Sequence, residues 1–189
     1  MNFKKKQLKE KTMEHKGFTL WFTGLACSGK SVLADALADD LKKRGMKVER
    51  LDGDIVRKSL TRDLGFSDED RRMNIERVTF VAKLLTRNGV AVLASFISPF
   101  NDIREYSKKE IGTYILVYVK CSIEECEKRD VKGMYAKARA GKIKEFTGID
   151  SPFEEPNSAD IIVETDKQTV KESKEIILNA LEKMGFLPN

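Results

Sequence analysis

The chain is poor in the side chains that build metal centres and covalent frameworks. It has one histidine, His15, and three cysteines, Cys27, Cys121 and Cys126, none of them in a Cys-x-x-Cys pair. A zinc site therefore lacks its ligands, and three separated thiols do not make a disulfide framework. Cys121 and Cys126 fall around a strand end and a helix start, where buried free thiols are the ordinary expectation. No stretch approaches the roughly 20 apolar residues that span a bilayer. The opening run MNFKKKQLKEKTMEHK has no apolar segment of the kind a secretory signal carries, so a cytoplasmic location and no membrane partner are expected. Internal repeats and low-complexity linkers are missing too.

What is present fits an ordinary folded protein. Its 189 residues are 41% hydrophobic and 34% charged, enough to bury one core. A polar, basic tail is expected over residues 1–16 and one domain over 17–189. The net charge of +5 owes much to Lys4, Lys5, Lys6, Lys9 and Lys11, and reads as a solvated tail rather than a nucleic-acid surface. Short apolar, β-rich runs alternate with helical patterns, the signature of a parallel sheet covered by helices. Strands are expected at 18–23, 47–51, 90–96, 114–119 and 161–164. Leu33, Ala34, Leu37, Ala38 and Leu41 are spaced for one helix, with Gly45 as its stop. Ser67 is placed to cap a second helix to Arg87, with Ile75, Val78, Ala82 and Leu85 on its apolar face. Further helices are expected over 123–129 and 167–184. The polar, glycine-dotted segment 130–156 has no strong periodicity and reads as a lid.

Residues Gly24-Leu25-Ala26-Cys27-Ser28-Gly29-Lys30-Ser31 match G-x4-G-K-S/T in full, between a strand and a helix. Glycines let successive N–H groups turn inward around phosphate oxygens, and the helix N-terminus adds a positive dipole. Lys30 is suited to reach the β- and γ-phosphates of ATP, and the Ser31 hydroxyl to ligate Mg²⁺. The motif alone says only nucleoside triphosphate. No guanine-reading N-K-x-D occurs, and a basic lid suits a kinase that excludes water during phosphoryl transfer.

A second set of segments is more specific: Asp52-Gly53-Asp54 with Arg57, Asp63-Leu64-Gly65-Phe66-Ser67 followed by Arg71 and Asn74, Phe96-Ile97-Ser98-Pro99, and Lys137-Ala138-Arg139-Ala140-Gly141 followed by Phe146-Thr147-Gly148-Ile149. Together they resemble the adenylyl-sulfate (APS) kinases over about residues 17–156. The resemblance implies a P-loop α/β sandwich with five parallel strands ordered 2-3-1-4-5. It implies transfer of the ATP γ-phosphoryl group to the 3′-hydroxyl of adenosine 5′-phosphosulfate, giving PAPS. By the same resemblance Lys30, Asp54 and Ser98 are catalytic, and residues 24–31 with Val32 and Arg129 hold ATP. Asp54, Arg57, Phe66, Arg71, Asn74, Ile97, Ser98, Lys132 and Phe146 hold the acceptor, Phe66 and Phe146 flanking its adenine. Some members carry a phosphoserine where Ser98 stands, but in-line transfer needs no protein nucleophile, and a hydrogen bond to substrate is the expected role. The family commonly dimerises. Usual members read GLSGAGKST where this chain has GLACSGKSV, and Ile55, Thr61 and Phe100 also depart from the pattern. A P-loop kinase for a related nucleotide, and a nucleotide-binding regulator without turnover, remain alternatives at this point.

Overall fold

The computed structural model describes residues 16–187. In chain order the elements are β1 (Phe18–Thr23), α1 (Lys30–Lys43), β2 (Lys47–Asp52), α2 (Gly53–Val56), α3 (Asp68–Arg87), β3 (Val90–Ser95), α4 (Asn101–Ile111), β4 (Tyr114–Lys120), α5 (Ile123–Arg129), α6 (Met134–Arg139), β5 (Ile161–Glu164) and α7 (Val170–Lys183). All five strands are parallel, in the order β2-β3-β1-β4-β5 that the resemblance implied.

The period of two along β1 divides the core. Phe18, Leu20 and Phe22 face α1 and α7, packing with Leu37, Leu41, Ile177 and Leu181. Trp21 faces the other way, into a layer with Ile75, Val78 and Ala82 of α3 and Ile103 of α4. A strand buried on both faces reads as a continuous apolar run, and every residue of β1 is buried. Each large side chain so buried contributes roughly 1.5–3 kcal/mol.

Helix ends follow local chemistry. After α1 the Gly45 N–H donates to Lys42 O and the Met46 N–H to Leu41 O, with Gly45 at φ 80: a Schellman closure that glycine adopts without cost. Ser67 caps α3, its Oγ accepting the Asp70 N–H. In places the structure departs from or adds to the sequence reading. The last helix begins at Val170, not at 167, because Thr169 caps it in a reciprocal box with Glu172. The short helix after β2 is capped by Asp52, whose Oδ1 accepts the Asp54 N–H at 3.0 Å. The segment 130–156 contains α6. Helix α4 had no sequence signal because its buried face carries Arg104 and Ser107 beside Ile103 and Ile111.

The sheet also places the site. Phe22 of β1 and Asp52 of β2 both pair in register with Ser95 of β3. The loops leaving these strands therefore emerge at one edge, the carboxyl end where open α/β sheets bind ligands.

Candidate active site

The phosphate loop runs from Gly24 to the start of α1. Gly24 has φ 148, and a Cβ there would lie 2.4 Å from Val119 O, so only glycine fits. Gly29 takes a left-handed conformation at the N-cap of α1. Cys27 is also left-handed, at φ 59, although it is not glycine. Lys30 is buried and lies folded across the loop, its Nζ donating to Leu25 O at 2.6 Å and Gly24 O at 3.0 Å. Burial pushes its ammonium down to about 8, against the pull of neighbouring thiols and of Asp52 and Asp54.

Opposite the loop, Ser31 Oγ donates to Asp52 Oδ2 at 2.6 Å, and the Arg50 guanidinium stands 3.8 Å from the same oxygen. Asp54 sits two residues further on, exposed, and pairs with Lys132 from the segment after α5. The cations follow. Arg57 donates to Gly65 O at 2.9 Å, and its guanidinium lies 4.3 Å from the Phe66 ring centroid. Arg71 donates to Phe66 O at 2.7 Å, to Thr147 Oγ1 at 2.9 Å and to Glu145 O. Among the described residues neither arginine has a carboxylate partner within ion-pair distance, and burial lowers the pKa of both. Asn74, i+3 from Arg71 on α3, accepts from Thr61 Oγ1 at 2.8 Å through its carbonyl oxygen, so its amide donors are left over.

The third wall is the turn after β3. Thr23 Oγ1 donates to Ile97 O at 2.6 Å, and the Arg104 guanidinium donates to Ser98 O. Ser98 is 2% exposed and has φ 46. The fourth wall comes from α5, α6 and the loop beyond. Arg129 donates to Thr165 O at 2.7 Å and, more weakly, to Cys27 O at 3.4 Å. Tyr135 donates to Ala26 O at 3.0 Å, fastening α6 to the phosphate loop, and Phe146 meets its ring edge-on with centroids 4.9 Å apart.

These walls enclose one cleft of about 770 Å³. It gathers Ala26, Cys27, Gly29, Lys30, Ser31, Val32 and Arg129 with Asp54, Arg57, Phe66, Arg71, Asn74, Ile97, Ser98, Lys132 and Phe146. Three predicted loop residues do not line it. Gly24 is pinned beneath the loop, Ser28 is buried, and Leu25 turns to a second cavity of about 680 Å³. Phe146 is not a free face on both sides, because the Tyr135 ring packs against it at 75°. Sequence reasoning missed Asp52, Trp21, Arg104 and Thr165. Asp52 alone had a usable signal, an acid at the last residue of a strand leading into the site.

Comparison with known proteins adds to this geometry. The family model described as adenylylsulphate kinase matches residues 16–164. A protein named adenylyl-sulfate kinase from Picosynechococcus is 51% identical over 175 residues, covering 93% of this chain and 99% of its own length. A probable adenylyl-sulfate kinase from Pseudomonas aeruginosa is 57% identical over 166 residues, 88% of this chain and 78% of its own. Among solved structures, the Mycobacterium tuberculosis APS kinase in complex with AMPPNP and APS superposes with a TM-score of 0.86 at 40% identity, covering 89% of this chain and 99% of that one. On a match spanning most of its length, the chain belongs to the adenylylsulphate kinase family.

Proposed function

We propose that the protein transfers the γ-phosphoryl group of ATP to the 3′-hydroxyl of adenosine 5′-phosphosulfate. The observation that carries this reading is the pair Arg57 and Arg71, two cations on one aromatic ring without carboxylate partners among the described residues, in the same cleft as Lys30. Charge-assisted, bidentate hydrogen bonding makes such guanidinium groups fit for the phosphosulfate. The names of the family's relatives favour the same substrate.

Each group has a part in positioning or proton handling, which is most of what in-line phosphoryl transfer asks of a protein. Loop amides and Lys30 take the phosphates of ATP, Lys30 exchanging its carbonyl partners for phosphate oxygens. Arg129 lies against the ATP adenine. Phe66 and Phe146 flank the adenine of the acceptor, and Asn74, Ile97, Ser98 and Lys132 complete its seat. Asp54 stands where a carboxylate can take the proton of the attacking hydroxyl. The segment 130–156 acts as a lid that keeps water from the phosphoryl group.

The Ser31–Asp52 oxygen pair fits Mg²⁺: both are hard oxygen donors, few in number, as befits an ion shared with substrate phosphates. When held there, the ion would supply charge neutralisation to the ATP phosphates. Among the described residues no helix is long and apolar enough to cross a membrane, and a cytoplasmic location suits a consumer of ATP. A relative from Thiobacillus denitrificans is described as hexameric, which supports self-association, with a homodimer as its simplest form; light scattering checks it. The function is tested by ADP release from purified protein with ATP, Mg²⁺ and APS. Release that requires APS supports the reading, while release only with a different nucleotide acceptor moves the assignment to that nucleotide.

A further inference from the structure

Trp21 reaches from the middle of β1 to the floor of the cleft. It is fully buried, and its Nε1–H donates to Ser98 Oγ at 2.9 Å. Its ring stacks on Phe96 at 5.6 Å between centroids and lies beside Tyr114 at 5.8 Å, so packing fixes its direction. An indole N–H only donates. This bond occupies a lone pair of the Ser98 oxygen and turns the hydroxyl proton away from the ring. Among the described residues Ser98 Oγ has no other hydrogen-bond partner. The proton is therefore left for an acceptor in the cleft that Ser98 lines. The backbone beneath is held just as firmly, by Thr23 at Ile97 O and by Arg104 at Ser98 O, which keeps Ser98 in a left-handed conformation that most L-residues avoid.

We propose that Trp21 is a positioning residue: it sets the Ser98 hydroxyl as a donor to an oxygen or nitrogen acceptor of the acceptor nucleotide. The inference rests on the APS kinase reading of this cleft. It also gives Ser98 a non-covalent role, since a hydroxyl holding a donor and no hydrogen-bonded base is not activated as a nucleophile.

Steady-state kinetics on wild type, Trp21→Phe, Ser98→Ala and the double variant test it. Phenylalanine keeps an aromatic ring in place and removes the N–H. Trp21→Phe should raise KM for APS about five- to tenfold, the worth of one hydrogen bond, and leave KM for ATP near its starting value. In the Ser98→Ala background the same change should have no further effect on KM for APS, because the two side chains act as a unit. Additive effects, or equal rises in both KM values, would overturn the inference, since a packing defect behaves that way. Spectroscopy keeps the test open should Trp21→Phe fold poorly. Trp21 is the only tryptophan, so its emission should change on saturation with APS in the presence of ADP, and should not in Ser98→Ala. An emission that ignores APS in wild type would also overturn it. A wild-type enzyme that releases no ADP with APS sinks the functional reading and this inference with it; one that turns over APS while the variants add sinks this inference alone.

Discussion

The Arg57 guanidinium lies 4.3 Å from the centroid of the Phe66 ring, and that ring is more than half exposed at the mouth of the cleft. An exposed aromatic held by a cation is a ready platform for a planar base, with the same cation beside whatever anion the base carries. Arg57→Ala should weaken APS binding about 10- to 100-fold, since a charge-assisted hydrogen bond is worth roughly 1.5–3 kcal/mol. Calorimetry with APS in the presence of ADP and Mg²⁺ measures it. Arg71→Ala should cost a comparable amount, because its guanidinium lies in the same cleft beside the same ring and also has no carboxylate partner among the described residues. Unchanged binding in both variants would remove the phosphosulfate from this end of the cleft.

Lys30→Ala should leave the fold intact and slow transfer on the order of 10²-fold or more, as a fixed cation is lost from a site of low dielectric. Its pH behaviour follows from burial. Free Lys30 titrates near 8, and nucleotide phosphates raise that value. Above about 8 the empty site is increasingly neutral and must take up a proton on binding, so ATP affinity should fall as pH rises and stay flat with respect to Lys30 below about 8. Calorimetry in buffers of different ionisation enthalpy counts the proton, and Lys30→Ala should abolish the uptake.

Asp54→Asn should lower kcat by about 10²-fold or more while ATP affinity changes little, because a positioned base typically contributes 10²–10⁴. Turnover kinetics beside a nucleotide-binding titration separate the two. Normal turnover with poor ATP binding would assign Asp54 to the nucleotide instead.

Cys27 sits at φ 59 where usual members of the family have glycine. A side chain in that conformation costs roughly 1–2 kcal/mol, and glycine returns about half of this through its freer unfolded chain. Cys27→Gly should therefore stabilise the protein by up to about 1 kcal/mol, read as a rise in Tm. A fall would mean that the thiol's packing near Tyr135 and Phe146 outweighs the strain.

The fold was legible where pattern and burial coincide. β1 and β4 read as unbroken apolar runs because both faces are covered, and α1 because Leu33, Leu37 and Leu41 repeat at helical spacing before a glycine stop. Helix α4 was illegible because its inward face spends Arg104 and Ser107 on buried hydrogen bonds, so the periodicity that betrays a helix is absent. In the site, the family resemblance, not spacing, implied that Lys30, Arg57, Arg71 and Ser98 share one cleft, as they do. It could not show that Trp21, three residues before the phosphate loop and in no motif itself, aims its one polar atom at Ser98. Nor could it show that Lys132 meets Asp54, a contact between segments 78 residues apart.

The segment from 130 to 156 is anchored near both ends. Tyr135 is bonded to Ala26 of the phosphate loop, and the Glu154 carbonyl accepts from Arg104 at 2.7 Å, the same guanidinium that holds Ser98. A strap buckled at two points does not swing like a flap; it bows in the middle. The middle is clasped by Arg71, through Thr147 and the Glu145 carbonyl. An anion that draws Arg71 toward itself thus competes with the clasp for one guanidinium, so the bow of the strap's middle answers to what fills the cleft while its ends stay fastened over it.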